Sequence, residues 1–265
     1  MTAGILADAA FGPDPGRWPL PDAVSPTELW LRAVAAGGQG RYASARADLA
    51  ALLRRCPPGG LGSLALSTRA SFLRQLGWHP VARGVDGRAF AHAGDDPEAA
   101  VDALAGLAAD ALGVGRLAAS AALLTRAEQI HRRADAPPPR LGIRLAWVNA
   151  ELSMAAGDGH AAVRHAVRGV ERAERAAPAL SRHRVKSDVV LAAALCCSGD
   201  LSAARAVADT ALAATMVHGL VPLRWALACL LAEVGSDAHS KSEVADIRAA
   251  AAEFITRHGG RLSSG

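Results

Sequence analysis

Small residues recur along this chain at fixed offsets from a glycine. Gly40, Gly77, Gly115, Gly157, Gly199 and Gly235 follow one another every 36–42 residues, and seven positions before each stands an alanine: Ala33, Ala70, Ala108, Ala150, Ala192 and Ala228. Five positions after the glycine, Ala45, Ala82, Ser120, Ala162 and Ala204 are small again, and Ser240 follows in the sixth unit, where the turn is longer. A period of this length is that of a helix pair. Small side chains at both offsets let two antiparallel helices cross closely, and the glycine permits the reversal between them. The pattern predicts about twelve helices, arranged as hairpins.

Polar punctuation agrees. "SPTE" (25–28) offers Ser25 as N-cap, Pro26 at the first helical position and Glu28 three residues into the helix, a capping box. "DDPE" (95–98) and "SKSE" (240–243) repeat that logic, and Pro- and Gly-rich linkers fall at 56–63, 136–140, 177–181 and 218–222. Residues 1–24 carry Pro13, Pro15, Pro19 and Pro21 and are expected to form a Pro-rich N-terminal arm, disordered or packed along the first hairpin. A helical repeat domain is expected over 25–258, followed by a flexible tail at 259–265.

The first unit, "GGQGRYASARADLAALLRRCPP" (37–58), resembles the tetratricopeptide-repeat (TPR) family through Gly40, Tyr42, Ala45, Leu49 and Pro57. The resemblance extends over about residues 26–258 as six degenerate units, in which the early Trp and the Leu-Gly pair of the family are replaced. It implies an all-α, right-handed α-solenoid of about six antiparallel hairpins. The spacing also admits a HEAT-like array.

Composition narrows the picture. Of 265 residues 51% are hydrophobic but only 4% aromatic, so the core is built from Ala, Leu and Val, and the shortage of β-branched and aromatic residues argues against a sheet protein. The longest apolar run, "VVLAAALCC" (189–197), is too short to span a bilayer, so no membrane association is expected. The N-terminus lacks the charge-then-apolar pattern of a signal peptide, and Cys56, Cys196, Cys197 and Cys229 follow no disulfide or metal spacing. Reduced thiols in a cytoplasmic protein are expected, with Cys196, Cys197 and Cys229 buried in apolar helices and Cys56, beside Pro57 at a hairpin end, the most accessible.

Candidate chemistry is sparse. Gly37, Gly38 and Gly40 do not open a G-x-x-x-x-G-K-[ST] loop, His160 and His165 are off the i, i+4 spacing of a helical metal site, and no nucleophile elbow is present. No enzymatic activity, cofactor or metal is therefore expected.

Two surfaces remain. In TPR-like arrays the first helix of each hairpin lines a concave groove, which the resemblance would furnish with Trp30, Ser71, Arg74, Gln75, Arg144, Trp147, Glu151, Met154, Lys186 and Trp225. Aromatic and Arg residues are the usual anchors of binding surfaces, so the leading expectation is a protein-binding scaffold for an acidic and apolar peptide. The second surface is a basic stretch. Arg164, Arg168, Arg172 and Arg175 lie three or four apart, and Arg182 and Arg184 follow, giving +5 over 164–186 against +4 for the whole chain. Such a face would suit an acidic partner or, less favourably for want of interleaved aromatics, nucleic acid.

Overall fold

A computed structural model describes residues 2–176 and 179–263 of the chain. Every regular element among them is an α-helix: α1 (Thr2–Phe11), α2 (Pro26–Gly38), α3 (Tyr42–Arg55), α4 (Gly60–Gln75), α5 (His79–His92), α6 (Pro97–Gly113), α7 (Leu117–Arg133), α8 (Pro139–Ala155), α9 (Gly159–Glu174), α10 (Ser181–Ser198), α11 (Leu201–Val217), α12 (Val221–Val234) and α13 (Lys241–Arg257). No helix among the described residues is long and apolar enough to cross a membrane.

From α2 onward each helix packs on the next in sequence, and the even-numbered helices α2, α4, α6, α8, α10 and α12 also pack on one another in order. The glycines of the repeat explain the tight reversals. All six have positive φ, between 74° and 90°, and each lies between the two members of a helix pair. The alanines seven positions before them are 0% exposed, as are the small residues five positions after the first five, in helices that pack on their neighbours. Ser240 differs: it lies in the longer last turn and caps α13. The capping boxes at Ser25 and Ser240 both form, and Asp96 caps α6 by accepting from the Ala99 amide. Asp158 and Asp200, each next to a turn glycine, cap α9 and α11 in the same way.

The N-terminal residues lie against the first hairpin, one of the two arrangements expected of the arm, but they begin with a helix. Residues 2–11 form α1, which buries Leu6, Ala9 and Ala10 and packs on α2 and α10. Its last residue, Phe11, lies 5.3 Å from the Trp30 ring and 6.1 Å from His183. The Pro-rich stretch that follows is held by its carbonyls. The Gln39 amide donates to the oxygens of Pro15 and Arg17, both at 2.9 Å, and Arg41 stacks on Trp18 at 3.8 Å. Gly16 lies against the backbone of His218.

Of the tail expected to be flexible, residues 264 and 265 lie outside the described residues, and the described part is bound. Ser263 donates its amide to Leu76 (2.8 Å), and the Trp78 indole donates to Arg261 (2.6 Å). The Ala43 amide donates to the His258 carbonyl at 2.8 Å. Ala251 and Ile255 of α13 belong to the same core as Leu29, Tyr42, Leu49 and Leu76, while Gly40 lies against Val221 and Pro222. The two ends of the helix series therefore meet. Of the linkers, only 177–181 is not fully covered, since residues 177 and 178 lie outside the described residues.

Among the thiols, Cys197 is exposed rather than buried, because it occupies the outer face of α10 near that helix's end; Cys56, Cys196 and Cys229 are half-buried.

Candidate functional site

The even-numbered helices enclose a cavity of about 570 Å³, within the size range of ligand pockets. Of the expected groove residues, Ser71, Arg74 and Gln75 of α4, Arg144, Trp147 and Glu151 of α8, Lys186 of α10 and Trp225 of α12 line it. Two do not. Trp30 is 9% exposed and packs between α2 and α4, its indole donating to Thr68 at 3.0 Å with Phe11 over its face. Met154 lies one turn past the cavity on α8, against Ala150, Ala162 and Ala166. The helix α6 adds an apolar wall of Ala105, Ala109 and Leu112, which has no polar signal in the sequence.

The cations of the wall are held by buried acids. The Arg74 guanidinium binds Asp86 and, through Nε at 2.8 Å, Asp110; both carboxyls are 0% exposed. Gly106 leaves the space in which Asp86 and Arg74 meet, since a Cβ there would overlap both. Arg144 reaches Asp102 at 2.6 Å, and Arg140 bridges Asp102 (3.2 Å) to Glu98. Lys186 faces Glu151 at 3.7 Å. Burial opposes ionisation of Asp102, but Arg144 and Arg140 more than offset it and hold its carboxyl below the usual range. Asp86 goes the other way: burial, reinforced by the Asp110 charge, outweighs Arg74 and pushes it up to about 8.

Arg182 is the exception among the cations. It was expected on the basic outer face, but it lines the cavity, because α10 begins at Ser181 and its inner face carries Arg182, His183 and Lys186 together. Its Cδ packs flat on Gly38 of α2, 2.9 Å from where a Cβ would stand. Its Nη2 donates to the Ala10 carbonyl at 3.1 Å, its Nε has no partner, and no carboxylate pairs with it among the described residues. Burial, then the charges of Arg144 and Arg140, lower its pKa to about 10. The same burial, with Arg182 beside it, holds His183 neutral, its pKa well below the ordinary histidine value, stacked 5.5 Å from Trp147. Trp147 is itself fixed, its indole donating to Ser187 at 2.8 Å and its ring lying over Gly169.

The rest of the basic stretch is divided. Arg164, Arg168, Arg172 and Arg175 are exposed along α9, whereas Arg184 is drawn into ion pairs with Glu174 (2.6 Å) and Asp188 (3.4 Å). Arg175 pairs with Glu171 at 3.3 Å. No cluster of three or more potential metal ligands occurs among the described residues.

No protein-family model matches the chain, and no curated protein is similar to it.

Proposed function

We propose that the chain is a right-handed, TPR-like α-solenoid of six helix hairpins that acts as a non-enzymatic cytoplasmic adaptor, taking an acidic and apolar peptide segment of a partner protein into its concave side. One observation carries this reading: Arg74, Arg144, Arg182 and Lys186 share a single cavity with Trp147, Leu223 and Trp225. Cations held in place by buried acids, beside rigid aromatic rings, form a preorganised surface that loses little entropy on binding. The cavity volume suits a few residues of a peptide better than a long extended stretch.

The test captures partners by affinity pull-down with mass spectrometry from the native organism and titrates the captured segment against variants with unchanged helical signal. Trp225→Ala is expected to cost about 1–3 kcal/mol of binding. Lys186→Glu should weaken binding through repulsion, less so as salt rises. Reversing Arg168 and Arg172, exposed on α9, should leave affinity unchanged. If that reversal abolishes binding while the cavity variants do not, the outer basic face is the working surface and the cavity reading fails. Salt-dependent binding to arbitrary duplex or RNA through that face would point to nucleic acid instead.

A further inference from the structure

Resting on the reading of the cavity as a peptide site, we infer that the segment it takes is a chain end, whose terminal carboxylate docks on Arg182 with its last apolar side chains against Trp147, Leu223 and Trp225. Charge balance is the first argument. Arg74, Arg140, Arg144 and Lys186 each have a carboxylate partner, and Arg182 has none among the described residues. What Arg182 does have is a carbonyl at the C-terminal end of α1, the negative pole of that helix, while its Nε is buried beside Gly38 without a partner. A guanidinium at the cavity with no acid of its own is complementary to a monoanion. A carboxylate meets that need, and guanidinium–carboxylate hydrogen bonds are among the stronger ones.

Enclosure is the second argument. Helices α2, α4, α6, α8, α10 and α12 all contribute to the lining, with His79 of α5, so a ligand in the cavity has protein on several sides. Behind Arg182 and His183 lies α1, with Ala10 bonded to the guanidinium and Phe11 beside both side chains. A peptide that reaches Arg182 meets α1 and has no path onward. A chain terminus satisfies this geometry, whereas an internal Asp or Glu would need the chain to enter and leave by the same mouth.

The full-length protein is panned against two libraries of short random peptides, one displayed with free C-termini and one fused at the C-terminus. Enrichment is expected only from the first, with apolar final residues. A selected peptide is then titrated as the acid and as its C-terminal amide. The amide, and separately Arg182→Gln, should each lower affinity about 10- to 100-fold, the range of a hydrogen bond to a charged group, and Arg182→Lys should recover part of the loss. The amide comparison uses unaltered protein, so it stands even if Arg182→Gln loosens α1. Equal enrichment from both libraries, with acid and amide binding alike, would overturn the chain-end inference and leave the peptide reading intact. Enrichment from neither, with a free apolar acid such as decanoate binding instead, would overturn both.

Discussion

Two aspartates buried behind the cavity wall should respond oppositely to the same substitution. Asp102 is 3% exposed and accepts from Arg140 and Arg144. Asp102→Asn leaves Arg144 without a carboxylate and Arg140 with Glu98 alone. Breaking a buried ion pair from one side costs about 3–5 kcal/mol, because an uncompensated charge is left behind. Asp86 is 0% exposed, its second oxygen has no partner, and its carboxyl is pushed up to about 8. It is therefore mainly protonated when folded at about pH 7, while the unfolded chain ionises near the ordinary value of 3.8. The folded state binds the extra proton between these limits, so this group's contribution is fully present below the unfolded value and is lost as pH rises, at about 1.4 kcal/mol per pH unit, until the folded value is passed. Asn cannot ionise. Asp86→Asn should thus leave stability at about pH 7 equal or higher and remove that slope. Urea denaturation followed by circular dichroism at several pH values, from mildly acidic to mildly alkaline, measures both effects. If Asp86→Asn costs as much as Asp102→Asn and the pH slope is unchanged, Asp86 is an ionised partner of Arg74 and the electrostatic account of the wall is wrong.

Ala192→Leu, at a 0% exposed helix crossing, should destabilise by about 1–3 kcal/mol, read from the same denaturation curves; a neutral result would mean the helices do not cross there. Phe11→Ala removes the ring packed on Trp30 and His183 and should cost about 2–4 kcal/mol, with faster amide exchange in α1; unchanged exchange would show that α1 is not held by that ring. Cys197 should be the first thiol labelled in the native protein. Because burial and Cys196 raise its pKa, its rate should keep climbing with pH beyond the range of an ordinary thiol, and mass mapping of the labelled site decides it.

What the sequence made legible is what depends on local geometry. A glycine with positive φ and an alanine at a crossing are requirements of single positions, and they repeat, so their spacing gives the helix pairs directly. The inner-face residues of α4, α8 and α12 were put forward by the resemblance to TPR arrays rather than by that spacing. Arg182 was not, because a run of charges was read as one continuous surface across the connection from α9 to α10, where the facing direction resets. The signal was there: Arg182 precedes Lys186 by four residues, so both project from one face of α10. The anchors of residues 2–24 and 259–263 escaped because they are remote single donors, Gln39, Arg182 and Trp78, which no periodicity announces. The wall formed by α6 escaped because its alanines look like those of any other helix here.

The glycines of the opening unit tie the fold to the site. Gly40 makes the turn, Gly37 admits the Phe72 ring, and Gly38 lets Arg182 lie on the backbone of α2. A glycine inside a helix costs about 1 kcal/mol relative to alanine, and alanine is this chain's habitual small residue. At Gly38 and Gly106 the cost secures neither a turn nor a tighter apolar core, but room for Arg182 in one case and for Asp86 and Arg74 in the other. Buried ion pairs return little net stability compared with apolar packing of the same volume. A helical protein that needed only to stay folded would gain by filling this space with leucine. The chain instead gives up stability at Gly38 and Gly106 to hold cations at the edge of an open volume, which is the arrangement the proposed acidic segment requires.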